Sequence, residues 1–312
     1  MKVLILGAAG FIGSNLVYGF LEEGHEVIAL DGFLEKTGGD KKHLENVINK
    51  IVLIDQKIED IDSIPELINS VDIVIDSMAW TSHLLAVENP IYDLKLNARS
   101  HLSLLTCLPN KPEQKFIFLG SRGQFGNPEV DLIDEETPMI PQDIQGIHKL
   151  TAESYFRVYS KLKNIDVISL RFPNCYGINQ PINGNDIGLV GSFIRDALLG
   201  KNIIVYGEGR KRPIVYINDL VKVIIEFAKK EFFGFNAFNI KGIEISIYQL
   251  AKKIVELAGN GCVSLKKMPD ELAAIDIGNA EFSDKKTIDY LGGIPKTDLT
   301  KSLSKTIEYF KI

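Results

Sequence analysis

The chain opens on an apolar run, Val3-Leu4-Ile5-Leu6, breaks at Gly7-Ala8-Ala9-Gly10, and continues with helical spacing of apolar positions over 11–23. A second apolar run, Val27-Ile28-Ala29-Leu30, ends on Asp31. This order predicts a strand at 2–6, a helix, and a second strand closing on an acid. Further apolar runs at 51–54, 73–75, 116–119 and 167–170 recur between helical patterns. Alternation of this kind implies a doubly wound α/β fold, a parallel sheet with helices on both faces. Beyond Arg171 the character changes. Residues 174–188 are rich in Asn, Gly and Pro and read as one long loop, a segment type that often carries function. A helix at 189–199, a short strand at 203–206, a polar segment at 207–212 and helices at 247–258 and 302–310 follow, with no internal repeat.

The break in the first unit has the residues of a dinucleotide turn. Gly7, Gly10 and Gly13 stand between strand and helix, where glycine lets the backbone turn tightly and approach a pyrophosphate at the positive end of the helix. Asp31 lies about twenty residues on, where an acid receives ribose hydroxyls. Together they point to an NAD site in a Rossmann-type domain. Asp31 would repel a 2′-phosphate and no Arg follows it at once, although Lys36 lies in the next loop, so NAD is expected over NADP.

Composition narrows the rest. The 312 residues allow two packed lobes, and 45% hydrophobic with 24% charged residues is ordinary for a globular chain. A net charge of −6 without a dense Lys/Arg block argues against a nucleic-acid partner. Met1-Lys2-Val3 runs straight into the first strand, and no apolar run approaches the length of a membrane span, so a cytoplasmic protein without signal peptide or membrane anchor is expected. Cys107, Cys175 and Cys262 are far apart and odd in number, which fits reduced, buried thiols rather than a disulfide frame or a metal site.

Six segments in order carry a family resemblance. They are the glycine turn, Asn97 in Leu96-Asn97-Ala98, the run Gly120-Ser121-Arg122-Gly123-Gln124-Phe125-Gly126, and Lys149 in His148-Lys149-Leu150-Thr151-Ala152-Glu153. Arg171-Phe172-Pro173-Asn174-Cys175-Tyr176-Gly177 and Arg212-Pro213-Ile214-Val215-Tyr216-Ile217-Asn218-Asp219 complete the set. Over nearly its whole length the chain resembles the extended short-chain dehydrogenase/reductases, in particular the nucleotide-sugar epimerases and dehydratases. The resemblance implies hydride transfer between a nicotinamide and a sugar carbon. It assigns Ser121 to the reacting sugar oxygen, where negative charge develops, Lys149 to the nicotinamide ribose, and Asn97 to support of the site from below. It also places Phe11, Ile12, Asp55, Gln56, Ala79 and Pro173 around the cofactor, with Arg122 and Leu189 beside the substrate.

The family's tyrosine is absent. Four residues before Lys149, where a Tyr-x-x-x-Lys motif would have it, stands Gln145. The i, i+4 spacing keeps Gln145 and Lys149 on one helix face, but an amide does not titrate. Loss of a positioned general base commonly costs about 10²- to 10⁴-fold in rate. Two histidines are candidate substitutes: His83, on the loop that in the resembled family runs beside the nicotinamide, and His148, three residues after Gln145. Arg122-Gly123 replaces the Asp-Glu pair of the sugar 4,6-dehydratases, which disfavours dehydration.

For the second lobe the resemblance gives Asn174 and Arg212 to the sugar diphosphate, a guanidinium suiting bidentate contact, and Tyr206 to the nucleotide base. Where the family often carries Arg-Pro-Gly-Asp, this chain has Met268-Pro269-Asp270-Glu271. Glu271 remains able to take ribose hydroxyls while the second phosphate-binding Arg is missing. The expectation is an NAD-binding domain over 1–172, with 214–240 returning to it, and a substrate lobe over 173–213 and 241–312. The expected activity is sugar 4-epimerisation by transient oxidation at C4, in a homodimer formed through helices at 91–107 and 149–161. A 4-keto reductase or dehydrogenase, and a non-catalytic binder of NAD and sugar nucleotide, stay open as alternatives.

Overall fold

A computed structural model of the chain describes residues 1–108, 114–183, 187–269 and 279–311. Five strands alternate with helices in the first half: β1 (Lys2–Leu6), β2 (Glu26–Asp31), β3 (Val52–Asp55), β4 (Ile73–Asp76) and β5 (Lys115–Ser121). A two-residue β6 (Leu132–Ile133) precedes β7 (Asp166–Phe172). With β11 (Phe235–Asn239), β1 to β5 and β7 form a seven-stranded sheet in the order β3-β2-β1-β4-β5-β7-β11, with every neighbouring pair parallel and β6 outside it. The side chains of β1 alternate, so Val3 and Ile5 enter one core and Leu4 and Leu6 the other. Both faces are therefore covered, which accounts for the near-continuous apolar runs.

On one face α1 (Phe11–Glu22) packs against α8 (Ile217–Lys229), so closely that a Cβ on Gly19 would come within 2.4 Å of a Val221 methyl. The other face carries α2 (Ile64–Asn69), α5 (Ser100–Thr106) and the 20-residue α6 (Ile144–Lys163). Asp143 caps α6 by accepting from the Gly146 N–H, and Asn164 ends it in the left-handed region at φ 51°. Gln145, Lys149, Ala152, Glu153, Phe156 and Ser160 make its buried stripe. The chain leaves β1 and β4 towards opposite edges of the sheet. The crevice at their carboxyl ends is the topological switch point where such folds place ligands.

Residues 217–239 return to the large sheet, and the remaining strands build small sheets beside it. Asn174–Tyr176 (β8) runs parallel to β10 (Lys211–Tyr216), which pairs antiparallel with β12 (Ile243–Ser246), while β9 (Asn202–Tyr206) pairs with β13 (Cys262–Lys266). The expected loop at 174–188 thus opens as a strand. The polar segment at 207–212 likewise enters β10, because its last two residues find ladder partners in β12. A helix at 91–107 is in fact broken: α4 (Pro90–Leu94) passes through a π-helical turn, Lys95–Arg99, into α5. The thiols also depart from expectation. Cys107 and Cys262 are exposed, and only Cys175 is shielded enough for burial to raise its thiol's pKa.

Candidate active site

The glycine turn is built as a cradle. Gly7 sits at φ +72°, and its N–H and that of Ala8 both donate to the Leu30 carbonyl, at 2.9 and 3.1 Å. A Cβ on Gly13 would stand 2.0 Å from the Gly7 carbonyl oxygen, so only glycine lets α1 start this close to β1. Gly10 caps α1 with no side chain, which leaves the first-turn amides, at Phe11 and Ile12, to an anion. Asp31 closes the cradle. Its carboxylate accepts from the Ala9 N–H and the Phe33 N–H, each at 2.9 Å. Burial pushes the Asp31 carboxyl above its ordinary value, and those two N–H groups only partly offset it. Asp55 pairs with Lys41 at 2.6 Å at the end of the neighbouring strand, and the Gln56 N–H donates to the Asp31 carbonyl. These residues fit a dinucleotide: an open backbone turn, an uncapped helix start and a buried acid at the adjacent strand end.

The loop after β4, residues 77–82, is the centre of the site. Lys149 reaches it from α6, donating to the Met78 carbonyl at 3.2 Å and to the Leu119 carbonyl of β5 at 3.1 Å, with its ammonium 5.0 Å from the Phe118 ring. Burial brings the Lys149 pKa down to about 8, against the attraction of Asp76 and Asp93. Ala79 follows, half-buried. Trp80 is then held on all sides: its N–H donates to Asn97 Oδ1, its carbonyl accepts from Asn97 Nδ2 and Gln145 Nε2, and its indole donates to the Lys36 carbonyl. Asn97 lies in the π-helical turn, a local irregularity that often marks functional positions.

Ser121 ends β5 on the other side of Lys149. Its Oγ accepts from the Gly123 N–H at 3.0 Å, so it caps the short 3₁₀ turn Arg122–Phe125 in which Arg122 is buried. Beneath that turn Glu153 is buried against Arg171, which donates to it through Nε at 3.0 Å and Nη2 at 2.5 Å. Burial alone would raise the Glu153 carboxyl, but Arg171, Gln124 and Ser169 hold it below its ordinary value.

The two histidines part company. His148 turns to α4, where its Nδ1 meets the fully buried Asp93 carboxylate at 2.5 Å, and Asp93 also accepts from Asn97. His83 starts α3 (His83–Glu88) at the end of the 77–82 loop and pairs through Nδ1 with Asp143 at 2.7 Å, its side chain 59% exposed. Burial pushes the Asp143 carboxyl up, but the His83 hydrogen bond and charge and the Gly146 N–H bring it below its ordinary value.

Across the crevice, Pro173 is buried just after β7 and Asn174 is exposed at the start of β8. Leu189 begins α7 (Leu189–Leu198), and Tyr206 ends β9, half-buried. Arg212 is buried in β10, with Nη1 donating to the Lys211 carbonyl at 2.7 Å. Glu271 lies outside the described residues. Sequence reasoning gave no role to Trp80, Asp93, Gln124, Glu153 or Arg171. Gln124, Glu153 and Arg171 do stand in the segments that carry the family resemblance, and Asp93 lies at i, i+4 from Asn97.

Residues 3–240 match the model of a family described as the NAD dependent epimerase/dehydratase family. The chain belongs to that family. NAD is therefore its cofactor. Over 99% of its length the chain is 29% identical to a putative UDP-glucose 4-epimerase of Methanocaldococcus jannaschii, 98% of which is covered. It is also 29% identical to UDP-glucuronic acid decarboxylase 1 of Xenopus tropicalis, covering 99% of this chain and 72% of that one. Among solved structures it resembles the UDP-glucose 4-epimerase of Thermotoga maritima with UDP-glucose, at TM-score 0.83 and 28% identity, with 100% and 99% of the two chains covered. Membership makes it an NAD-dependent enzyme of nucleotide-sugar chemistry. No helix among the described residues is long and apolar enough to cross a membrane.

Proposed function

We propose that the protein is a nucleotide-diphospho-sugar 4-epimerase, and that UDP-hexoses are its substrate class. The observation that carries this reading is that the glycine cradle after β1, the loop after β4 that Lys149 holds, and Ser121 at the end of β5 lie at the carboxyl ends of three successive strands of the sheet. The whole-length likeness to UDP-glucose 4-epimerases supports the nucleotide. Bound NAD supplies the hydride acceptor and donor for C4.

The chain's own residues supply the rest. The cradle and Asp31 orient the cofactor, and Lys149, held between two backbone carbonyls, places a positive charge at its ribose. Ser121 hydrogen-bonds the reacting oxygen, and Asn174, Tyr206 and Arg212 hold the nucleotide end. Gln145 does not move a proton, because it is an amide whose Nε2 is engaged by the Trp80 carbonyl. We assign the C4 hydroxyl proton to His83. Asp143 at its Nδ1 favours the tautomer in which Nε2 accepts, and the dyad stands at the start of the helix that carries Gln145 and Lys149. His148, committed to Asp93, serves the packing of α4 against α6. We also assign a homodimer to the surface of α3, α4 and α6, where Leu84, Val87, Ile91 and Ile147 are exposed and the three helices pack together.

The test is a panel of UDP-, GDP-, CDP- and dTDP-sugars added to the purified protein, followed by thermal unfolding and nicotinamide absorbance. A UDP-hexose at 100 times its dissociation constant stabilises the protein by about 2.7 kcal/mol. Transient reduction of the nicotinamide accompanies turnover. Stabilisation without any redox change would make the protein a non-catalytic binder, and lasting reduction would make it a dehydrogenase.

A further inference from the structure

Ser121 is the last residue of β5, and its hydroxyl is useful only if the backbone beneath it is fixed. Its N–H donates to Gln124 Oε1 at 2.7 Å. Gln124 is fully buried, and its Nε2 donates to Glu153 Oε2 at 2.7 Å. A carboxylate only accepts, so the amide cannot flip: Nε2 faces Glu153 and Oε1 must face the Ser121 N–H. Glu153 in turn is oriented by Arg171 and by the Ser169 hydroxyl at 2.8 Å. The room for this amide is made by Gly120, where a Cβ would stand 2.7 Å from Gln124 Oε1.

Glu153 lies one turn beyond Lys149 on α6. Lys149 holds the carbonyl of Leu119, and Glu153, through Gln124, holds the N–H of Ser121. The two backbone groups flank a single residue, Gly120, so one helical turn of α6 anchors the strand on both sides of it. A single helix face sets the spacing between the lysine and the serine.

We propose that Gln124 is a positioning residue for Ser121, with its amide polarised and locked by the buried Glu153–Arg171 pair. This rests on the reading of Ser121 as the group that contacts the reacting sugar oxygen. The test uses the full chain with NAD and UDP-glucose. Gln124→Met, which keeps the volume and removes both hydrogen bonds, lowers kcat by about tenfold while KM for UDP-glucose and NAD affinity by titration stay within about twofold. In a Ser121→Ala background the same substitution costs nothing further.

Gln124→Glu, with its carboxyl protonated, keeps an acceptor for the Ser121 N–H and a donor to Glu153 Oε2, and on ionising it loses the donor and sets two carboxylates against each other. Its kcat stays within about threefold of the unmodified protein at the acid end of the pH range and falls by about tenfold relative to it as the carboxyl ionises. An equal loss from Gln124→Met in both backgrounds, or a parallel change in KM and NAD affinity, overturns the proposal and leaves the role of Ser121 standing. If Ser121→Ala itself leaves kcat unchanged, the role of Ser121 falls and the proposal with it. Should Gln124→Met not fold, the Gln124→Glu profile decides alone, and its failure to fold or a kcat ratio to the unmodified protein that is flat with pH contradicts the proposal.

Discussion

Asn97 and Gln145, on different helices, donate to the same backbone oxygen, the carbonyl of Trp80, at 2.7 and 2.8 Å. The family's missing tyrosine is therefore replaced by a residue with a structural duty, fastening the 77–82 loop to α6. An oxygen with two lone pairs is satisfied by these two donors, and the loop that also holds Lys149 through Met78 is fixed from both sides.

It follows that restoring the tyrosine does not restore catalysis. Gln145→Tyr removes a donor from Trp80 and adds volume at a position 8% exposed, so turnover stays flat or falls. His83→Ala lowers kcat by about 10²-fold. His148→Ala instead leaves the buried Asp93 carboxylate short of a partner and lowers stability by about 3 kcal/mol, with kcat within a few-fold of the unmodified protein. Steady-state kinetics and thermal unfolding of the three variants separate these effects. A rise in kcat in Gln145→Tyr would return the acid/base role to that position.

Cofactor choice follows from Asp31. The unmodified protein binds NAD more tightly than NADP, because the carboxylate receives ribose hydroxyls and repels a 2′-phosphate. Asp31→Ala narrows the gap, and part of its cost is structural, since Asp31 also takes the Ala9 N–H of the glycine turn. Isothermal titration with both cofactors checks this, and equal affinities in the unmodified protein would remove the assignment.

The succession of parallel strands and helices and the glycine turn were legible in the sequence because strand burial and short-range spacing are local properties, whereas Ser121 and Lys149 were singled out by the family resemblance alone. The amide pair on Trp80 and the Asp93–His148 contact were not legible. They join residues 17 to 65 positions apart, and Asn97 lies in a π-helical turn that no apolar period announces. Strand β8 was hidden for a similar reason. Its three residues, Asn174-Cys175-Tyr176, have no alternation to read and gain their strand from pairing with β10.

On the substrate side, Arg212→Ala weakens binding of a UDP-sugar while NAD affinity stays nearly unchanged, since Arg212 lies in β10 and the cradle lies in β1 and α1. Titration of each ligand in turn measures this. A loss confined to NAD would mean that Arg212 serves the other ligand.

Lys149 gives the apo protein a pH signature. Its folded pKa, about 8, lies below the ordinary 10.5, so between these values the unfolded chain binds more protons and stability rises with pH. Below pH 8 the cost of burying the ammonium is fully present; it is relieved as pH climbs to 10.5. The rise, taken as the difference from Lys149→Met, is on the order of 3 kcal/mol. Chemical unfolding at stepped pH reads it, and parallel curves for the two proteins would contradict the burial of a charged lysine.

The most direct measurement follows the fate of hydrogen at C4. UDP-glucose carrying deuterium at C4 is incubated with the protein and NAD, and the products are read by NMR. The account predicts UDP-galactose that retains the deuterium at C4, with no net accumulation of reduced nicotinamide. Deuterium transferred irreversibly to the nicotinamide, or recovery of unchanged UDP-glucose from a protein that binds both ligands, would contradict it.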